Sequence, residues 1–151
     1  MLRTILSISG RSGLYRLVSR GRNMLIVESL SEGKRMPAYS RDKVMSLGDI
    51  AIYTEGEDRP LGEVLELVKI KTGTEAVDVK ALESAGDLRR FFGEVLTDYD
   101  RERVHDSDIR KLLQWYNQLI AAGITDFVDQ QPETDGEPKQ DESEGKKESE
   151  N

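Results

Sequence analysis

The sequence predicts an α+β protein: a small N-terminal SH3-like β-barrel, a C-terminal helical segment and a disordered acidic tail. Three observations carry this. Between Thr4 and Thr54, short apolar runs alternate with turn signals about every ten residues, the rhythm of small barrels and sandwiches. Beyond Pro60 the apolar residues change to spacings of three and four, the period of a helix. From Asp129 to Asn151 no aliphatic or aromatic residue appears, and such a segment cannot offset its ordering entropy by burial. The expected divisions are a barrel over 1–56, a connecting helix over 57–75, a helical domain over 76–128 and a tail over 129–151.

The strand-like runs are Ile5–Ile8, Leu14–Val18, Met24–Leu30, Met36–Tyr39 and Ile50–Tyr53, separated by glycine-containing polar turns. Met24–Leu30 is the richest in β-formers. Pro37 cannot donate to a ladder, which puts its strand at an edge or a bulge. Five short strands in fifty residues are enough to close a barrel and remove exposed edges. The first ten residues also alternate, with Thr4, Ser7 and Ser9 interrupting. That reads as a strand, because a secretory core needs about 7–15 consecutive apolar residues.

Pro60 suits a first helical turn, where its missing N–H costs nothing. Leu61, Val64, Leu65 and Val68 then form one stripe, and Gly73 supplies a stop. A second helix is expected from Ser84, with Asp87 three residues on as a capping box and Leu88, Phe91, Phe92, Val95 and Leu96 buried. Arg89 lies outside that stripe and is expected to matter little to stability. A third helix should run from Asp106 or Ser107 to Ala122 before Gly123. Ile109, Leu112, Leu113, Tyr116 and Ile120 line one face of it, and Trp115 and Leu119 widen the apolar arc.

Charge is unevenly distributed. The formal net charge is -7, yet residues 1–50 carry +5, residues 51–128 carry -6 and residues 129–151 carry -6. The chain has no cysteine, which excludes disulfides, thiolate zinc sites and cysteine nucleophiles and fits a reducing cytoplasm. No stretch approaches the ~20 apolar residues of a membrane span.

The short motifs that suggest chemistry fail on their context. Asp98-Tyr99-Asp100-Arg101-Glu102 sits between helices like a calcium loop. However, Arg103 and Ile109 occupy the places where that loop needs glycine and a bidentate glutamate. Gly10-Arg11-Ser12-Gly13 has the form of a nucleotide clamp, but that clamp joins two helices, and strands flank it here. Ser31-Glu32-Gly33-Lys34 falls in a hairpin turn, whereas the serine hydrolase motif it matches begins a helix. His105, the only histidine, falls at a helix start, as an exposed connecting residue would. No catalytic residue, cofactor or metal site is therefore assigned.

One constellation remains. Arg11, Arg20, Arg22, Lys34 and Arg35 fall in predicted turns, with Tyr15 and Tyr39 nearby. Arginines with exposed aromatics on a small barrel hold phosphates and stack bases; the alternatives are a solvated surface that simply carries arginines, or neutralisation in cis by the acidic segment.

The stretches Thr4–Gly10, Asn23–Leu30 and Ser46–Thr54, together with Trp115–Asn117 and Gly123–Phe127, resemble an uncharacterised family of small Bacteroidetes proteins carrying paired domains of unknown function. The likeness spans roughly residues 1–128. It implies a two-part chain in a bacterial cytoplasm and carries over no activity. The expectation is a non-enzymatic cytoplasmic adaptor with an unidentified protein partner and no membrane. The alternative is an RNA- or ribosome-associated factor that uses the basic head.

Overall fold

Alternation of apolar and polar residues makes the first half of the chain a sheet. The computed structural model describes residues 2–128 apart from Ser12 and Ser40, and the expected acidic tail lies outside the described residues. A short 3-10 turn, Leu2–Thr4, leads into β1 (Ile5–Ile8), β2 (Tyr15–Gly21), β3 (Met24–Ser29), β4 (Arg35–Tyr39) and β5 (Val44–Ser46). These form one antiparallel sheet in the order β4-β3-β2-β1-β5. The β2–β3 hairpin turns on Arg22 and Asn23. Asn23 takes a φ of 61°, a left-handed conformation that asparagine tolerates.

One face of this sheet gathers Leu6, Ile8, Tyr15, Val27 and Ala38, all buried. Their apolar neighbours Leu17, Leu25, Met36 and Val44 are also strand residues. The sheet therefore buries this face by curling over itself. The curl stops short of closure, because β4 and β5 remain the two edges of the sheet. The expected SH3-like barrel is thus corrected to an open, curled sheet. Part of the physical reason lies in β4, an edge strand as Pro37 predicts: the residue facing across the gap there has no N–H to donate.

A 3-10 turn, Leu47–Asp49, and a two-stranded ribbon of β6 (Ala51–Ile52) and β7 (Arg59–Pro60) join the sheet to the helices. α1 (Leu61–Thr72) follows, capped at its end by Gly73 at φ 70°. The predicted stripe Leu61, Val64, Leu65 and Val68 is fully buried. α2 (Val79–Ala85) begins at Asp78, whose carboxylate accepts from Ala81 N–H at 3.0 Å. The expected single helix from Ser84 is therefore two helices. Ser84 lies in the last turn of α2, left-handed Gly86 breaks the chain, and Asp87 precedes α3 (Leu88–Val95). α4 (Asp106–Ala121) matches its expected span to within a residue. His105 stands before it as an exposed N-cap, and its N–H is taken by the Asp108 carboxylate at 3.0 Å.

The main core lies where Ile5, Leu14 and Leu47 of the sheet half meet Val64, Phe92 and Leu113 of the helices. Tyr116 and Phe127 pack at 5.9 Å within it. After α4 the chain returns across α1: Glu66 accepts Phe127 N–H at 3.0 Å, and Lys69 donates to Thr125 O at 2.8 Å. No helix among the described residues is long and apolar enough to cross a membrane.

Candidate functional site

The five basic residues singled out from sequence fall into two groups at opposite ends of β4. Arg11, Lys34 and Arg35 gather where β4 begins. Arg35 is paired with Glu28 at 3.3 Å, and Arg11 donates to Met36 Sδ. Arg20 and Arg22 lie where β4 ends, joined there by Arg41, whose guanidinium stacks 4.8 Å over the Tyr39 ring. Arg11 and Arg35 thus already contact the protein. Among the described residues, no ion pair holds Arg20, Arg22 or Arg41.

Arg20 of the second group lines the open mouth of the curled sheet, a groove of about 360 Å³ shared with Asn23, Leu25, Ala38, Tyr39, Asp42 and Val44 among others. Arg20 comes to line it through a β-bulge. The register of β2 against β3 shifts between Leu17 and Ser19, so that Arg20 stands opposite Leu25. Without the extra residue, alternation would have turned Arg20 to the other face. The bulge therefore adds a guanidinium to a groove that also holds the Asn23 amide and the Asp42 carboxylate.

The two strand edges flanking the gap differ in what they expose. In antiparallel pairs, alternate residues direct their backbone groups toward and away from the neighbour. Ser29 N–H donates to Lys34 O, which fixes Arg35, Pro37 and Tyr39 as the outward residues of β4. Pro37 has no N–H, and Tyr39 N–H is already taken by the Asp42 carboxylate at 2.8 Å. Asp42 N–H returns a bond to Tyr39 O at 2.9 Å. β4 is thereby blunted against strand addition. On β5, Ser9 N–H donates to Lys43 O, which makes Val44 an outward residue. No proline or side-chain cap covers it among the described residues. One edge of the gap is closed and the other is open.

A second groove, about 170 Å³, runs between β6 and α4 and is lined by Ile52, Tyr53, Val104, Lys111 and Trp115 among others. Arg103 lies 4.2 Å over Tyr53 at its rim. The loop that resembled a calcium site forms one end of this region. There Asp100 is occupied with its own turn, accepting from the N–H groups of Glu102 and Arg103 at 2.9 and 3.1 Å and from Arg103 Nε at 2.9 Å. Hydrogen bonds from the Arg103 side chain, then from the two backbone N–H groups, hold the Asp100 carboxyl below the usual aspartate range. Among the described residues, no three or more histidine or acidic side chains converge as a metal site would require.

Arg89 departs most from its expectation. Its guanidinium reaches Asp106 at 2.5 Å, Val104 O at 3.0 Å, Arg101 O at 3.2 Å and the Tyr99 hydroxyl at 3.4 Å. It brackets the whole connection between α3 and α4. An arginine outside the apolar stripe is here a structural clasp.

The fold and its open mouth define a two-part α+β protein: a curled sheet followed by a four-helix unit. Family models match both parts. Residues 2–47 match Domain of unknown function (DUF5606), and residues 50–119 match Domain of unknown function (DUF6852). A solution NMR structure of a protein from Bacteroides vulgatus is 55% identical, with a TM-score of 0.70 over 85% of this chain and 92% of that one. No curated protein matches the chain. The chain belongs to the uncharacterised Bacteroidetes family that pairs these two domains.

Proposed function

We propose that this chain is a non-enzymatic protein-binding module, an adaptor of the bacterial cytoplasm. In this reading the mouth of the curled sheet takes an extended, acidic segment of a partner protein. The carrying observation is the asymmetry of the gap, in which β4 is blunted by Pro37 and Asp42 while Val44 of β5 is open beside a groove rimmed by Arg20. An added strand gains affinity from main-chain pairing and specificity from alternate side chains entering pockets. Here Leu25 and Ala38 receive an apolar side chain, and Arg20, Arg22 and Arg41 meet carboxylates. Guanidinium groups present a planar fork of donors and no acceptor. They suit recognition better than proton transfer.

A second reading rests on Arg41 and Tyr39, a stacked pair of the kind that holds a nucleic-acid base. The RNA- or ribosome-associated alternative would use this same mouth. Affinity purification from the native host, with and without nuclease, separates the two. The module reading expects a protein that co-purifies regardless of nuclease and is lost from Arg20→Glu and Val44→Pro variants that retain their circular dichroism. Recovery of nuclease-sensitive RNA alone would refute it.

A further inference from the structure

Resting on the reading of the mouth as a binding site, we propose that the chain's own segment 133–137 occupies that mouth in cis and competes there with a partner's acidic segment. The first argument is pattern. Glu133, Asp135 and Glu137 alternate with Thr134 and Gly136, between Pro132 and Pro138. A period of two puts all three carboxylates on one face of an extended strand. The spacing suits a strand laid along β5, and a helix would scatter the three charges.

The second argument is charge. Residues 129–138 contain four acidic residues and no lysine or arginine. The mouth is lined by Arg20 and, on the acidic side, by Asp42, whose carboxylate is engaged by Tyr39 N–H. Arg22 in the β2–β3 turn and Arg41 over Tyr39 stand near it, and none of the three arginines is held in an ion pair among the described residues. Exposed partners of this kind attract over about 8–10 Å at physiological salt.

The third argument is reach. Val128 lines a shallow pocket with Leu2, Arg3 and Gly48, beside the end of β5. Its position there is fixed by the bond from Phe127 N–H to Glu66. Val44 lies four residues before Gly48, at most about 14 Å away along the chain. Five to nine residues separate Val128 from Glu133–Glu137 and span up to about 18–32 Å. The segment reaches Val44 without displacing the fold.

The absence of cysteine allows a direct test in the full chain, because Gln140→Cys carries a nitroxide label at one place only. The expected result at low salt is loss of the amide signals of Val44, Arg20 and Tyr39, with those of α2 unaffected. That loss should be relieved by added salt, by Arg20→Glu with Arg41→Glu, or by Glu133→Gln, Asp135→Asn and Glu137→Gln together, and it should be independent of dilution. Uniform signals across the sheet would overturn cis occupancy, even if partner capture still depends on Arg20 and Val44. A loss that vanishes on dilution would assign the occupant to a second copy of the chain and overturn it equally. Cis occupancy without mouth-dependent capture would instead count against the module reading alone.

Discussion

Replacing Arg89 with alanine should destabilise the protein by about 2–3 kcal/mol, although the residue lies off the apolar stripe of α3. The Tyr99 ring is buried against Phe92 at 4.9 Å, and its hydroxyl donates or accepts nothing else among the described residues beyond Arg89. Leaving such a group and the part-buried Val104 carbonyl without a partner costs about 1–3 kcal/mol. The ion pair with Asp106 is solvent-exposed on both sides and adds at most about 1 kcal/mol. For a chain of this size each kcal/mol lowers the melting midpoint by roughly 3–4 °C, so the variant should melt about 8 °C lower. Arg89→Lys should recover less than half of the loss, because an ammonium cannot reproduce the planar fork that reaches four acceptors. Urea titration by linear extrapolation gives the numbers directly. An Arg89→Ala variant within about 0.5 kcal/mol of wild type, the usual span of an inert surface change, would refute the clasp.

Gly62→Ala should destabilise by about 1–3 kcal/mol, the usual cost of overpacking. A Cβ there would stand 2.3 Å from Phe127 O, so the returning chain must lift from α1, and faster hydrogen exchange at Phe127 N–H should report it. Leu113, fully buried, should cost about 2–5 kcal/mol on change to alanine in the same urea assay; a smaller loss would mean the helical register is wrong. Asp100 has a folded carboxyl below its ordinary value of 3.8. Its contribution is therefore complete above the unfolded value and disappears as pH falls through the lower folded one. An NMR titration should find Asp100 below its ordinary value in the wild type and shifted part of the way back in Arg103→Ala, where the two backbone N–H groups still donate to it.

The parts of the fold that follow from periodicity were legible in the sequence. α1 and α4 each bury a stripe at spacings of three and four, and β1 to β4 each carry an apolar run bounded by turns. β5 and β7 were missed because strands of three and two residues are too short to show alternation. α2 was missed because it fully buries no side chain, with only Val79 and Leu82 part-buried against the core, and so shows too short a stripe; Gly86 was the available signal. Barrel closure was expected because strand count alone allows it. The gap depends on which backbone groups of β4 face outward, and that is set by register. Proximity in sequence grouped Arg11, Lys34 and Arg35 with Arg20 and Arg22, whereas the hairpins carry them to opposite ends of β4. Arg20 reaches the mouth only through a bulge, and Arg89 acts on carbonyls and side chains 10–17 residues away. Neither arrangement leaves a periodic trace.

The open edge of β5 is the centre of this account, and amide hydrogen exchange at Val44 tests it most directly. The measurement compares the free chain with the partner complex recovered by affinity purification, both carrying Glu133→Gln, Asp135→Asn and Glu137→Gln so that the mouth is vacant. In the free chain Val44 N–H should exchange rapidly while Met45 N–H, directed toward β1, is protected. In the complex Val44 should become protected, as a residue that has gained a strand neighbour must. Protection already present in the free chain, or a complex that leaves Val44 exchanging freely while protecting the groove beside Trp115, would contradict the account.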